Sequence, residues 1–153
     1  MHINVACCIC EKDACLMVQE AKGQAFGLWN FPSGKLEPCE DIFVGAIREC
    51  KEETGYDICL TGLLAVHNFM RIENPLVRII FSARIISGEI CYNQSEILQV
   101  KWIPIIELKQ MRNEIRGYPS ALDVISAVCN KVIYPLEIIK NIDFQDYPKM
   151  EVS

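Results

Sequence analysis

Glu49, Glu52 and Glu53 stand at i, i+3 and i+4, so a helix running from Asp41 to Thr54 puts three carboxylates on one face. Three anions at that spacing repel one another. They also sit near the helix C-terminus, where the macrodipole disfavours negative charge. Helix stability alone does not call for this arrangement, but a divalent cation does. Hard cations such as Mg²⁺ take carboxylate oxygens and bring phosphate oxygens with them. Gly34, Glu40, Arg48 and Gly55 lie in the same stretch, 34–56 (GKLEPCEDIFVGAIRECKEETGY).

The elements that must position these residues can be read from local pattern. Asp41, following Pro38, is the expected N-cap, and Gly55 is a suitable residue to end the helix. Ile42, Phe43, Ala46, Ile47 and Cys50 form an apolar stripe about a quarter-turn from the acidic cluster. One flank should dock on the core while the next presents carboxylates to a cleft. Upstream, Ile3 to Cys10 and Ala14 to Gln19 read as strands joined by the turn Glu11-Lys12-Asp13. Residues 23–27 are loop-like, and Leu28 to Pro32 lead into the glycine of the motif. Downstream, Asp57 to Phe69, Leu76 to Ile86 and Ile97 to Trp102 are rich in branched residues and read as strands. Pro104 opens a short helix through about Met111, and Ala121 to Val132 reads as a C-terminal helix. Leu136 to Ser153 is a mixed tail. Without repeats or linkers, residues 1–153 read as a single α/β domain with a mixed sheet between helical layers.

The chain is 51% hydrophobic and 23% charged, with net charge −5 and a pI near 5.1. That balance fits a folded domain and argues against a nucleic-acid polymer or a membrane surface as partner. A polyphosphate would have to be held by local cations and a metal. No stretch approaches the roughly 20 apolar residues of a membrane span, and no signal-peptide pattern opens the chain, so a cytoplasmic location is expected. Nine cysteines are an odd number in such a setting. They are expected to be buried small hydrophobes and not a disulfide framework. Cys7 and Cys10 form a CxxC, but on a strand they point to opposite faces.

The spacing of Gly34, Glu40, Arg48, Glu49, Glu52, Glu53 and Gly55 matches GX5EX7REUXEEXGU, the Nudix box, at every charged and glycine position. With each fixed residue at roughly 5–7% abundance, chance would produce seven matches roughly once in 10⁸ to 10⁹ starts. Cys50 and Tyr56 fill the two bulky apolar positions. The chain therefore resembles Nudix (MutT-like) hydrolases, and the resemblance implies an α/β/α sandwich. It also implies Mg²⁺, with Mn²⁺ as substitute, bound by Glu49, Glu52, Glu53 and the Gly34 carbonyl. Glu53, with Glu52 second, would be the base that activates water. Arg48 would hold a catalytic glutamate by an ion pair, and Glu40 would fix the loop-helix geometry.

Outside the box, Glu96 precedes the strand ending at Trp102, where many members of the family carry an acid that reaches the metal; it could be a ligand, the base, or an exposed loop acid. Arg78, inside an apolar strand on the face of Leu76, Ile80, Ser82 and Arg84, could meet substrate phosphate or pair with an acid. Trp29 and Phe31 could stack on a substrate ring or pack in the core. His67 could be a base or structural, and Trp102 reads as core. LWNFPSGKLE, PLVRIIFSARI, RGYPSALDVI and YPLEII resemble the NudJ-type phosphatase branch, with Ser33 and Cys39 replacing small residues common there. That branch implies hydrolysis of nucleoside di- and triphosphates or thiamine-type pyrophosphates with release of phosphate, by a monomer or homodimer. The alternatives are a nucleotide-sugar or ADP-ribose pyrophosphatase and a non-catalytic, nucleotide-sensing module. Against the first stands the lack of an added N-terminal segment, and against the second the full set of box glutamates.

Overall fold

The computed structural model of the protein describes residues 1–70 and 73–142. Its elements are β1 (His2–Cys8), β2 (Cys10–Glu11), β3 (Ala14–Glu20), β4 (Trp29–Asn30), β5 (Ser33–Lys35), α1 (Ile42–Thr54), β6 (Tyr56–Phe69), β7 (Leu76–Gly88), β8 (Ile97–Pro104), α2 (Ile105–Leu108) and α3 (Tyr118–Cys129). One sheet is mixed, in the order β5-β1-β7-β6, with β1 and β7 parallel and the other pairs antiparallel. A second sheet is built on β3, which pairs with β8 along one edge and with β2 and β4 on the other, all antiparallel.

The strand period of two explains how both sides are covered. Val5 and Cys7 of β1 and Leu16 of β3 face α1, in a core with Ala46, Cys50, Ile58, Leu63 and Phe81. Ala6, Cys8, Cys15 and Met17, one residue out of phase, face the other way, into a core with Ile80, Ile103, Leu108, Val124 and Ile125. The result is helix, sheets, helix: the layered α/β architecture expected from the order of elements. Phe43 of α1 meets Phe81 at a ring-centroid distance of 5.6 Å, anchoring the helix to β7.

Helix α1 is capped as its residue types require. The Asp41 carboxylate accepts from the Phe43 and Val44 N–H groups at 2.8 and 3.1 Å, and Gly55 closes the helix at φ +84°. A Cβ at Gly55 would lie 2.2 Å from the Glu89 carbonyl oxygen, so the position needs glycine for space as well as for backbone sign.

Several expectations are corrected. The first strand breaks at Ile9, where the chain leaves one sheet and joins the other, because β1 pairs with β5 and β7 while β2 pairs with β3. Ile47 is exposed; the docking face is completed by Gly45, whose missing side chain admits Leu36 and Glu40. The helix after Pro104 spans only Ile105–Leu108, and α3 begins three residues earlier than expected, with Pro119 in its first turn, where a missing N–H costs nothing. The short strands β4 and β5 carry no period long enough to read. The cysteines are not uniformly buried: Cys39, Cys91 and Cys129 are exposed, and Cys10 and Cys15 are disulfide-bonded. In the tail, Leu136–Ile138 forms a 3₁₀ turn, and residues 143–153 lie outside the described residues.

Two changes test the capping account by urea unfolding. Asp41→Ala is expected to cost about 1 kcal/mol. Gly55→Ala should cost more, since it adds a backbone clash to an unfavourable φ. Equal, small effects would show that the helix is held by packing alone.

Candidate active site

Helix α1 and strand β5 build the site together. A Cβ at Gly34 would lie 2.0 Å from the Glu49 carboxylate, so only glycine lets that side chain rest on the strand backbone. One residue earlier, the Ser33 N–H donates to Glu53 Oε2 at 2.9 Å. Arg48 grips three carboxylates: Nε and Nη2 donate to the two Glu40 oxygens at 2.6 and 2.8 Å, and Nη1 donates to Glu49 at 2.7 Å and Glu52 at 3.3 Å. Glu40 also accepts from the Glu37 N–H at 2.9 Å, fixing the loop that enters the helix.

The electrostatics divide these acids. The Arg48 guanidinium, aided by the Glu37 N–H, pulls Glu40 down to about 2, so it is a fixed anion. Burial raises Glu49 and Arg48 opposes the shift. Glu53 is raised to about 9, chiefly by burial, with Glu20 and Glu49 adding repulsion and the Ser33 N–H insufficient to offset it. Glu52 remains exposed. Carboxylates of α1 beside the β5 backbone form an all-oxygen donor set around a half-buried acid whose charge lacks compensation. Those groups fit a hard divalent cation.

Next to this seam lies a cleft of about 380 Å³ whose wall carries Ser33 and Gly34 together with Lys35, Arg78, Arg116 and Glu20. Arg78 is buried, donates from Nε to Asn4 Oδ1 at 2.9 Å and lies 5.7 Å from the centre of the Phe69 ring. Glu20, at the end of β3, accepts from Asn30 Nδ2 and from Arg116 Nη1, each at 3.1 Å. Asn30 Nδ2 is also 3.2 Å from Ser33 Oγ. A depression of about 410 Å³ on the other flank of α1 is of similar size but shares only Glu52 with the acidic face.

The structure brings Arg48, Glu49, Glu52, Glu53, Ser33 and Gly34 together and sets Arg78 in the adjoining cleft. It places three other residues elsewhere. The Glu96 carboxylate pairs with Lys22 at 2.9 Å, half exposed, and Glu20 occupies the place beside Glu53. The Trp29 ring is 8% accessible and packs in the α3-side core with Phe31, so it offers no stacking face; here the expectation is corrected. What Trp29 contributes is backbone: its carbonyl accepts from the Arg116 N–H at 2.8 Å, bringing that arginine to the cleft. His67 is bound to Ser120 and Asp123 of α3 at 2.7 and 2.6 Å. Glu20, Asn30 and Arg116 were not legible in the sequence, because they come from three separate segments with no spacing rule among them.

Comparison with known proteins agrees with this geometry. The NUDIX domain family matches residues 1–123. The chain is 32% identical over 143 residues to phosphatase NudJ of Escherichia coli O1:K1, covering 90% of each chain. It is 34% identical over 110 residues to the mouse 8-oxo-dGDP phosphatase NUDT18, covering 70% of this chain and 33% of that one. Like NUDT18, several of these relatives are longer proteins, of which the chain spans about a quarter to a third. Among solved structures, a NUDIX hydrolase from Nitrosomonas europaea superposes with TM-score 0.82 at 27% identity, covering 92% of this chain and 97% of that one. The protein is a member of the Nudix hydrolase family.

The state of Glu53 yields a pH prediction. The unfolded carboxyl loses its proton near 4.5 and the folded one near 9. Between those values the unfolded chain binds fewer protons, so this group's contribution to stability falls as pH rises through that window. A cation that needs the carboxylate must displace the proton. Adding Mg²⁺ at pH 7 is expected to release close to one proton per chain and to raise the melting temperature, and Glu53→Gln should abolish the release. Undiminished proton release in the variant would assign the titration to another group.

Proposed function

We propose that the protein is a Mg²⁺-dependent hydrolase, with Mn²⁺ as substitute, of nucleoside di- and triphosphates or thiamine-type pyrophosphates, releasing orthophosphate. The observation that carries this reading is the juxtaposition of two opposite surfaces. An all-carboxylate helix face meets, across the Ser33-Gly34 backbone, a cleft wall bearing Lys35, Arg78 and Arg116. A phosphate chain laid along that seam has cations on one side and a metal-binding face on the other. The extensive likeness to phosphatase NudJ supports the terminal phosphate as leaving product.

Glu49, Glu52, Glu53 and the Gly34 carbonyl would hold the cation, which supplies charge neutralisation at phosphorus and lowers the pKa of water. Glu53, once ionised, takes a proton from the attacking water, with Glu52 as second candidate. Arg48 keeps Glu49 and Glu52 aligned on the helix face. Arg78 and Arg116 neutralise the substrate's phosphate oxygens and set which phosphorus faces the water, as bound geometry decides the reacting atom. Ser33, on the same seam, limits how far the chain slides.

Activity should vanish with chelator and return with Mg²⁺ or Mn²⁺, and Glu52→Gln or Glu53→Gln should lower kcat by roughly 10²- to 10⁴-fold in a folded protein. A folded double variant with near-normal turnover would end the catalytic assignment.

Arg116→Gln separates binding from chemistry. The expectation is a KM about tenfold higher, or roughly 1.4 kcal/mol of lost binding, at nearly unchanged kcat. A fall in kcat with constant KM would place Arg116 in the chemistry instead.

Hydrolysis of a nucleoside triphosphate in ¹⁸O-labelled water tests the bond cleaved. The predicted first product is orthophosphate. Label in a nucleoside monophosphate, with pyrophosphate as co-product, would refute the phosphatase reading and leave the family assignment untouched.

A further inference from the structure

Away from the cleft, Cys8 at the end of β1 meets Cys10 and Cys15 of the β2–β3 hairpin. Cys8 and Cys10 are two residues apart along the chain, and Cys15 is the cross-strand partner of Cys10, with a Cα–Cα distance of 4.2 Å. The neighbouring Leu16 N–H bonds the Ile9 carbonyl, so Cys10 and Cys15 occupy a non-hydrogen-bonded position, where side chains on one face come closest. The Cys8 and Cys10 sulfurs are 3.5 Å apart, and all three sulfurs lie within 4.8 Å of one another. Once the Cys10–Cys15 bond is reduced, three thiols so placed can turn toward one ion at the roughly 2.3 Å of a zinc–thiolate bond. None of the three takes part in the carboxylate site. Glu20 and Cys15 lie five residues apart on β3, about 17 Å at strand rise.

We propose that the reduced Cys8–Cys10–Cys15 trio is a second metal site, selective for a soft divalent d¹⁰ cation of the zinc class. Thiolates favour such ions and reject Mg²⁺, while the α1 carboxylates do the reverse, so one chain keeps the two cations apart. The charge state follows from the surroundings. Cys8 and Cys15 are buried beside Ile103, Leu108 and Val124. Three thiolates leave a net charge of −1 with a divalent ion and −2 with a monovalent one, and an apolar wall favours the smaller charge. Burial raises the Cys8 thiol to about 12, so without a cation this sulfur stays protonated. Half-buried Cys10 is the side from which an ion enters.

The Cys10–Cys15 disulfide closes the site. A dithiol reductant supplies two electrons and two protons, leaving two thiols on the protein and a disulfide on the reductant. The cation then bonds three sulfurs and releases three protons. Metal binding at this site is thereby conditional on the thiol–disulfide state of the hairpin.

The test is titration of reduced, oxygen-free protein with Cd²⁺ in excess Mg²⁺, which occupies the carboxylates, while following the thiolate-to-cadmium charge-transfer absorption. One equivalent is expected to produce the band in the wild type and in a Cys39→Ser, Cys91→Ser, Cys129→Ser variant that lacks the exposed thiols. Cys10→Ser, at a position tolerant of a polar atom, should lose the band and bind at least about 100-fold more weakly. Oxidised protein should show no band until reductant is added. A band that persists in Cys10→Ser, disappears in the triple variant, or never forms at one equivalent would overturn the proposal. Phosphate-release activity of the same preparations reports the carboxylate site separately.

Discussion

Arg48 is the interaction on which the site depends. Its guanidinium meets Glu40, Glu49 and Glu52 within 3.3 Å, and no other described cation is paired with these three acids. Without it, α1 would carry a cluster of anions against its own dipole, beside a strand that Glu49 already touches. The planar fork suits the task because one edge, Nε and Nη2, closes on Glu40 while Nη1 is left for Glu49 and Glu52. Through Glu40 the same side chain also governs the loop entering the helix, and through the Lys35 carbonyl, 3.3 Å from Nη2, it touches β5. Loop, strand and helix thus share one fixed point, and the carboxylate face inherits its geometry from it.

The sheet supplies the second constraint. β1 lies between β5 and β7, so the strand that carries Gly34 is held in register by a partner buried on both faces. The Val5–Gly34 and Ala6–Ser33 pairings fix where the Ser33 N–H and the Gly34 backbone stand relative to α1. A slip of one residue would remove Gly34 from its place and set Ser33 or Lys35, each with a side chain, against Glu49. Core packing and site geometry are here the same requirement.

The α1 face and its caps could be read from the sequence because all the information lies in one helix: a period of 3.6, an Asp cap and a Gly stop. The layered fold was legible from the order of elements, and each long strand from its branched residues. What could not be read depends on contacts between distant segments. Glu20, Asn30 and Arg116 meet only because β4 runs beside β3 and its Trp29 carbonyl binds the Arg116 N–H. Trp29 was ambiguous from sequence, since an aromatic residue near a motif can face either way, and tertiary packing put it in the core. The cysteines misled for a related reason. Hydrophobicity suggests burial for all of them, while the cross-strand pairing of Cys10 with Cys15 appears only once the hairpin register is known.

Glu53 shows how function is written against stability in this chain. The acid is sunk where its charge is poorly compensated, facing Glu20 and Glu49 while the Ser33 backbone N–H donates to it. An apolar residue of similar size would pack there at lower cost, since an isolated buried carboxylate is unfavourable until a counter-charge arrives. The protonated form relieves that cost in the metal-free protein, because a neutral acid needs no counter-ion. It also leaves the group proposed as base unable to accept a proton. Ionisation and cation binding must then come together, so the group proposed as base becomes competent only when the site is assembled. Arg48 cannot relieve Glu53 in place of a metal, because its donors are already committed to Glu40, Glu49, Glu52 and the Lys35 carbonyl. The residue that makes the acidic face foldable is thus kept from neutralising the carboxylate that must stay responsive.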